Sequence, residues 1–201
     1  MNILLAVPTF ENIQPETFKS LWDMDKAAHD VEFDAVRGYD CATARNAIAQ
    51  MAIDHKTDFV MMVDSDMVVP KDALLNMLED PVDVCLGYCP RRSDHSLTSI
   101  FRLYRKNGKT NTSFSEPYPV SELRDSSDKR IQVIGGGTAI VLIKTDVFRR
   151  LPRPWFDWVN DKDGTMVSED LYFCNRLKNA RIPIFVDTRV SCGHNLRTIY
   201  W

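Results

Sequence analysis

The sequence has no apolar run long enough to span a membrane and only a small excess of charge. Its formal net charge is −3, so no general electrostatic attraction to nucleic acid or anionic lipid is expected. The apolar N-terminus MNILLAVPTF lacks a basic leader and a small-residue cleavage site, which favours a first strand over a signal peptide. Internal repeats and low-complexity tracts are also absent. We expect one domain without a transmembrane segment over residues 1–201.

Cysteine is odd in number and lacks the spacing of a zinc site. This pattern favours reduced thiols that contribute to packing. The predicted localisation is therefore cytoplasmic, or the host cytoplasm if the source is a phage or virus. The five cysteines are Cys41, Cys85, Cys89, Cys174 and Cys192.

Strands and helices alternate through residues 1–90. Apolar or alternating patterns predict strands at NILLAVPT, VEFDAV, DFVMMV and VDVCLGY. Helical spacing predicts helices at PETFKSLWDMDKAA, with Phe18, Leu21 and Trp22 on one face, at CATARNAIAQMAIDH, and at PKDALLNMLED from Pro70. This order predicts an α/β fold with a mainly parallel, doubly wound sheet flanked by helices.

Residues 91–201 have a different pattern, which predicts a mixed or antiparallel region. A hairpin is expected to turn at Asn107-Gly108, and the polar residues 112–130 predict a long loop. IQVIGGGTAIVLIK predicts two strands separated by glycines. TDVFRRL predicts a short helix capped by Thr145, and SEDLYFCNRLKNA a helix with Ser168 as N-cap. IPIFVDTRV predicts a final strand.

A group of basic residues lies between the two halves. The simpler interpretation is a solvated basic hairpin, and a contact with a nucleic-acid acceptor is the alternative. The residues are Arg91, Arg92, Arg102, Arg105, Lys106 and Lys109.

Two carboxylates follow the strand DFVMMV directly, at Asp64 and Asp66 with Ser65 between them. Ligands of open parallel sheets bind beyond the carboxyl ends of the strands. If the chain stays extended, residues two apart face the same side and the carboxylates converge. Paired carboxylates repel unless a cation is present, and oxygen ligands suit Mg²⁺ or Mn²⁺. A loop of acidic turn residues is the alternative.

Five segments together give the sequence its family resemblance. They are LLAVPTF, ATARNAIAQMAI, FVMMVDSDMVVP, GGGTAIVLIKTDVF and SEDLYFCNRLKNARIPIFVD. In this order, and across nearly the whole chain, they resemble the GT-A fold nucleotide-sugar glycosyltransferases, close to the large family-2-like group. The resemblance implies a Rossmann-like GT-A sheet, with residues 1–90 as the nucleotide- and metal-binding half and residues 91–201 as the acceptor-side half.

The resemblance also implies a donor site for a UDP- or GDP-linked sugar. Asp66 matches the direct metal ligand, and Asp64 matches a ligand of the ribose or of a metal-bound water. His194, in VSCGHN, matches a further metal ligand of the family, and an imidazole with carboxylates suits Mn²⁺ better than Mg²⁺. The residues implied to border the nucleotide or its sugar are Pro8, Thr9, Phe10, Asp40, Arg45, Asp64, Ser65, Gly136 and Gly137.

Two of these implied roles have simpler structural alternatives. Arg45 could instead lie on the outer face of an alanine-rich helix. The glycines of the run Gly135–Gly137 permit close backbone approach to a ligand, and they equally fit a plain β-bulge or turn. The run is not a phosphate loop, because no lysine follows at the required spacing.

Asp170 matches the catalytic base of the family, with Glu169 beside it as a second candidate carboxylate. In the first turn of a helix the macrodipole favours ionised acids, and that is the structural alternative for this pair. Asp170 continues the apolar stripe of Phe173, Cys174 and Leu177, so it is expected at the inward edge of the helix. Helical periodicity turns Glu169 about 100° away, so the two are expected to differ in role.

The predicted function is metal-dependent transfer of a sugar from a nucleotide-diphosphate sugar to an acceptor hydroxyl, with inversion and with Asp170 as base. A saccharide, a protein or a modified DNA base are the possible acceptors. The alternatives are a sugar-1-phosphate nucleotidyltransferase and a catalytically inactive nucleotide- or sugar-binding relative. The segment PTFENIQPE after the first strand lacks the glycine-rich basic signature of the former.

Overall fold

The computed structural model describes residues 1–103, 105–106, 109–110, 114, 116–161 and 164–195. The predicted turn at 107–108 and the tail 196–201 lie outside these residues. The helices are α1 (Pro15–Asp23), α2 (Cys41–Asp54), α3 (Ala73–Leu78), α4 (Val120–Arg124), α5 (Asp146–Arg150) and α6 (Glu169–Asn179). The strands are β1 (Asn2–Thr9), β2 (Asp30–Arg37), β3 (Phe59–Val63), β4 (Met67–Val68), β5 (Val84–Tyr88), β6 (Leu97–Arg102), β7 (Arg105–Lys106), β8 (Lys109–Thr110), β9 (Pro117–Pro119), β10 (Arg130–Gly136), β11 (Ile140–Lys144), β12 (Val159–Asn160), β13 (Met166–Val167), β14 (Ile184–Ser191) and β15 (Gly193–His194).

Nine strands form one mixed sheet in the order β2-β1-β3-β11-β5-β14-β10-β6-β9. The pairs β1–β2, β1–β3 and β5–β14 are parallel, whereas the other five pairs are antiparallel. The prediction of a mainly parallel sheet is therefore wrong. Strand β11 enters between β3 and β5 and runs antiparallel to both, so the two halves of the sequence share one sheet. Local patterns predict strands but do not specify such long-range pairing.

Both faces of the sheet are covered by helices, which explains the continuous apolar runs of the central strands. Leu4 and Ala6 of β1 pack in one apolar layer with residues of α2, α5 and α6. Their neighbours Leu5 and Val7 pack in the opposite layer with residues of α1 and α3. Among the described residues, no helix is both long and apolar enough to cross a membrane.

Several local predictions need correction. The segment 112–130 contains the short strand β9 and the helix α4, so it is not a loop throughout. Pro70 lies before α3, which begins at Ala73. In α1, Leu21 is buried, but Phe18 is 48% exposed and Trp22 is 75% exposed, because only one side of this short helix meets the sheet.

The two predicted N-cap positions are confirmed, but neither hydroxyl makes a cap hydrogen bond. Ser168 occupies the N-cap position of α6 without a side-chain cap hydrogen bond. Thr145 before α5 has helical backbone angles, and its hydroxyl pairs with that of Thr57 at 3.1 Å instead.

The basic residues do not form a single hairpin. Strands β7 and β8 pair with each other, but Arg91 and Arg92 lie in the loop between β5 and β6. Arg102, on β6, pairs with Glu122 and lies over the ring of Tyr118.

The end of α3 is held by a buried carboxylate and two arginines from neighbouring strands. Asp187 on β14 is fully buried, and its oxygens accept from Arg189 at 2.7 and 2.9 Å and from Arg130 at 3.3 Å. The same guanidinium groups donate to backbone carbonyls at the end of α3, among them that of Asn76 at 2.8 Å from Arg189 and 3.1 Å from Arg130. These bonds satisfy carbonyls that a helix end leaves free.

We expect Asp187→Ala to lower the free energy of unfolding by about 3–5 kcal/mol, because it leaves the partly buried Arg130 without this carboxylate and Arg189 with its exposed partner Glu79 alone. Urea unfolding followed by circular dichroism measures the change. The control is Asp23→Ala, which removes an exposed pair with Lys19 on α1 and is expected to cost no more than about 1 kcal/mol. Equal effects of the two substitutions would contradict a structural role for the buried carboxylate.

Candidate functional site

The carboxylates after β3 lie in a turn, and this separates their partners. The amide of Met67 donates to the carbonyl oxygen of Asp64 at 3.1 Å, so the chain does not continue as an extended strand. The amide of Asp64 donates to the carbonyl oxygen of Ala139 at 2.8 Å, just before β11. The expected convergence of Asp64 and Asp66 on one cation is therefore corrected: Asp64 pairs with Arg45, whereas Asp66 pairs with Arg92.

Arg45 of α2 is buried beneath this turn, with only 1% of its surface exposed. Its guanidinium donates to Asp64 Oδ1 at 2.7 Å and to Glu169 Oε1 at 2.5 Å. Asp170 Oδ1 is 3.6 Å from the same guanidinium. Arg45 is thus turned inward, and the alternative of an arginine on the outer helix face is wrong. As placed, it holds carboxylates from β3 and α6 and has no exposed surface for a nucleotide.

Burial perturbs the acids around Arg45. Burial raises the pKa of Asp64 to about 6, and the Arg45 guanidinium opposes this rise. Burial also raises the pKa of Glu169, and the nearby charge of Asp170 adds to the rise. The pKa of Asp64 in the folded protein exceeds its ordinary value of 3.8. Protonation of this carboxyl therefore stabilises the fold fully below pH 3.8, and this stabilisation is lost as the pH rises through about 6.

Asp66 and His194 form a second group at the surface of the turn. Strand β15 pairs with β4, and the amide of Asn195 donates to the carbonyl oxygen of Asp66 at 2.8 Å. This pairing places His194 Nε2 3.4 Å from Asp66 Oδ2. Arg92 donates from Nε to His194 Nε2 at 2.8 Å and from a terminal nitrogen to Asp66 Oδ2. One guanidinium therefore bridges the carboxylate and the imidazole.

The donor atoms of this pair fit a divalent cation. The described residues contain no group of three or more His, Cys, Asp or Glu side chains arranged around one metal position. However, Asp66 Oδ2 and His194 Nε2 both direct lone pairs at a cationic group already. Mg²⁺ and Mn²⁺ sites commonly use one or two protein ligands and complete their coordination with water and phosphate oxygens. A carboxylate and an imidazole are sufficient for such a site.

Asp170 lies apart from this pair and is partly exposed. The Thr138 hydroxyl donates to Asp170 Oδ1, and the side chain retains 22% of its surface. A Cβ atom on Gly137 would lie 3.8 Å from Asp170 Oδ2, so the glycine leaves this oxygen uncovered. Glu169 is 5% exposed and engaged by Arg45, so the two acids differ in environment, as predicted. The expected order of burial is wrong, however, because Glu169 is the more buried of the two and Asp170 is the partly exposed one.

The three glycines have different surroundings. A Cβ on Gly135 would meet Cys174 at 2.7 Å, and one on Gly136 would meet Ile100 at 2.7 Å, so both permit close packing of β10 against α6 and β6. The pairing of β10 with β6 shifts register between Val133 and Gly135, which is the β-bulge considered as an alternative. Only Gly137 faces the site, whereas Gly136 is buried.

A cavity of about 520 Å³ opens beside the turn. Most of the residues predicted to contact the donor line it, and so do Tyr39, Trp158 and Arg92, which the sequence reasoning did not select. Asp40 has a second role, because it caps α2 by accepting from the Thr43 amide at 2.8 Å. The predicted residues in this lining are Pro8, Thr9, Phe10, Asp40, Asp64, Ser65, Asp66 and His194.

A second cavity of about 380 Å³ lies on the other side of His194. Its lining includes Asp170, Gly137 and Tyr88. The two cavities share Arg92, Ala139 and His194 as common wall residues. His194 therefore lies between the larger cavity, which also contains Asp66 and has an aromatic rim, and the smaller cavity, which contains the partly exposed carboxylate of Asp170.

The residues missed by the sequence reasoning gave little local signal. Tyr39 is 93% exposed and Trp158 is 43% exposed, in loops whose proximity depends on the fold. From the sequence, Arg92 is assigned only to a basic group. Its contact with Asp66 and His194 joins three segments that are distant in sequence.

No family model matches the chain, and no curated protein matches it. Among solved structures, the chain is similar to the crystal structure of A197 from STIV, with a TM-score of 0.64 and 17% sequence identity. The match covers 98% of this chain and 87% of that chain. At this identity the similarity shows a shared fold and carries no information about activity.

We expect Arg45→Met to destabilise the protein by about 3–5 kcal/mol at pH 8, because it leaves Glu169 buried and Asp64 half-buried without a countercharge. The cost should be smaller at pH 5, where the raised pKa values allow both carboxyl groups to take up protons. Urea unfolding at the two pH values measures the difference.

The control for this experiment is Arg149→Met, an exposed arginine on α5, which should change stability by no more than about 0.5 kcal/mol at either pH. Adding Glu169→Gln to Arg45→Met should restore part of the loss at pH 8. A loss that is equal at both pH values would argue against uncompensated carboxylates as its cause.

Proposed function

We propose that this protein is a metal-dependent glycosyltransferase of the GT-A fold, which transfers a sugar from a nucleotide-diphosphate sugar to an acceptor hydroxyl. The observation that carries the proposal is the contact of Asp66 with His194 in the lining of the larger cavity, because His194 also lines the second cavity, which contains Asp170. A transferase of this kind needs a cation site at the diphosphate, a donor cavity on one side and a base on the other. The resemblance of the five sequence segments supports the same assignment.

The larger cavity suits the donor. Its rim carries the exposed aromatic side chains of Phe10, Tyr39 and Trp158, which offer stacking surfaces to a nucleotide base. The carboxylates at its inner end suit a ribose hydroxyl and a cation. We propose a UDP- or GDP-linked sugar as the donor, with its diphosphate beside Asp66 and His194.

Asp66 and His194 are the residues that would hold Mn²⁺ or Mg²⁺. When bound, such an ion supplies Lewis-acid neutralisation of the charge that develops on the departing diphosphate. His194 Nε2 accepts from Arg92, so its lone pair is directed outward in the form that a metal needs. The pairing of β15 with β4 fixes the imidazole beside the carboxylate without any contribution from the ion.

Asp170 is the proposed base. Thr138 orients the carboxylate through Oδ1, and Oδ2 lies beside Gly137 at the wall of the smaller cavity. In the inverting reaction this carboxylate accepts the proton of the acceptor hydroxyl. The acceptor oxygen then bonds to the anomeric carbon as the bond from that carbon to the diphosphate oxygen breaks, and the nucleoside diphosphate leaves. The acceptor class remains a saccharide, a protein or a modified DNA base.

The donor site is tested by thermal unfolding with UDP and GDP, each with and without Mn²⁺. At a hundredfold excess over Kd, a ligand of the native state adds about 2.7 kcal/mol, which raises Tm by roughly 5–10 °C in a domain of this size. We expect this rise for one of the two nucleotides and only with Mn²⁺. Asp66→Ala should abolish it, and the control Asp23→Ala on α1 should retain it. No rise with either nucleotide, or a rise that survives Asp66→Ala, would refute the proposed site.

The base is tested by Asp170→Asn. This variant should keep the Mn²⁺-dependent rise in Tm, because Asp170 lines the other cavity. It should slow hydrolysis of the sugar nucleotide, in which water replaces the unknown acceptor, by about 100-fold or more. Release of the nucleoside diphosphate measures the rate. The control Asp146→Asn, an exposed acid at the start of α5, should have no effect on it. If Asp170→Asn hydrolyses the sugar nucleotide at the wild-type rate, Asp170 is not the base.

A further inference from the structure

We propose that Arg92 is a replaceable internal cation of this site. Its guanidinium bridges Asp66 and His194. A divalent metal ion displaces it, and the released guanidinium then contacts the diphosphate of the donor. This inference rests on the proposed function, and it adds a residue that the sequence resemblance does not assign.

Arg92 and a metal ion would need the same atoms of the protein. Arg92 Nε donates a hydrogen bond to His194 Nε2 at 2.8 Å, and a terminal nitrogen of Arg92 donates one to Asp66 Oδ2. A metal ion held by these two residues would use the same nitrogen and a carboxylate oxygen. The two cations therefore exclude one another, and metal binding must break two charge-assisted or polar hydrogen bonds.

The side chain of Arg92 can leave Asp66 and His194 without a change in the backbone of its loop. The backbone around it is fixed, because the Arg91 amide donates to the Leu97 carbonyl at 2.9 Å and Pro90 bridges to Thr98. The side chain of Arg92, in contrast, is 60% exposed. Rotation of a long, exposed side chain on a fixed backbone is sufficient for the exchange.

Arg92 also lies where it could contact the proposed donor. Arg92 is in the shared wall of both cavities, at the point where a diphosphate would lie next to Asp66. Among the described residues that line the larger cavity, Arg92 is the only lysine or arginine. Arg45 is buried and engaged by carboxylates. A guanidinium recognises phosphate oxygens in a bidentate manner, so Arg92 is the side chain of this lining that suits the diphosphate.

The exchange predicts opposite effects of one substitution on two ligands. In Arg92→Ala, Mn²⁺ alone should bind about tenfold more tightly, because no internal cation competes for Asp66 and His194. With Mn²⁺ saturating, the UDP or GDP that wild type binds should bind about tenfold more weakly, because its guanidinium contact is lost. Arg92→Gln, which keeps a polar side chain without the charge, should change both affinities in the same directions.

Electron paramagnetic resonance of free Mn²⁺ measures the first affinity, and titration calorimetry with UDP and GDP measures the second. The matched control is Arg91→Ala, which removes the same charge from the adjacent position. Arg91 lies over the Phe101 ring at 5.4 Å and should leave Mn²⁺ affinity unchanged when removed. A loss of local structure would weaken both ligands, so opposite changes identify the exchange.

The outcomes separate this inference from the proposed function. If wild type binds a nucleoside diphosphate only with Mn²⁺, but Arg92→Ala binds Mn²⁺ no more tightly than wild type, the exchange is refuted and the donor site stands. If Mn²⁺ binding tightens but nucleotide affinity is unchanged, the diphosphate contact is refuted. If neither wild type nor Arg92→Ala binds Mn²⁺ or a nucleotide, both the inference and the proposed function are refuted.

Discussion

The buried guanidinium of Arg45 is the constraint on which the site depends. A buried charge is costly unless carboxylates pair with it. Its partners come from separate parts of the chain, with Asp64 at the end of β3 and Glu169 and Asp170 at the start of α6. The native state is therefore stable only when α2, β3 and α6 meet at this edge of the sheet. The ion pairs that stabilise Arg45 also determine where the first turn of α6, and with it Asp170, lies relative to the cavities.

The turn after β3 then divides the charges into an inner and an outer pair. Asp64 faces Arg45, a cation that has no access to solvent and no route of exchange. Asp66 faces Arg92, a cation whose side chain is mostly in solvent. Both are ion pairs between an arginine and a carboxylate, and they differ in the burial of the arginine. The inner pair fixes geometry, whereas the outer pair leaves its carboxylate available to another cation.

The sequence predicted the parts of this arrangement that depend on local periodicity. The strands β1 and β3 and the helices α2 and α6 follow from apolar patterns, and Asp64 and Asp66 follow from their position after a buried strand. The sequence also contains a signal for the inward direction of Arg45. It shares a helix face with Ile48, Ala49 and Ala52, at spacings of three, four and seven residues, and all three are buried. An alanine-rich helix obscures this signal, because small residues are compatible with either face. The insertion of β11 between β3 and β5 had no local signal, since it depends on pairing across the whole chain.

The balance of charge bears on the proposed binding of a diphosphate at this site. Among the residues that the structure describes, the carboxylates Asp64, Asp66, Glu169 and Asp170 pair with two guanidinium groups, those of Arg45 and Arg92. A diphosphate would add negative charge to a region that is already acidic, and burial strengthens the resulting repulsion. Burial raises the pKa of Asp64 to about 6; the Arg45 guanidinium opposes this rise, and the nearby carboxylates of Asp170 and Asp66 add to it. In the proposed function, a divalent ion beside Asp66 and His194 would both offset the charge and free Arg92 for the phosphate oxygens. The proposed need for a cation would thus be a property of the whole cluster of charges, and exchange of the exposed Arg92 side chain would require no change of the backbone.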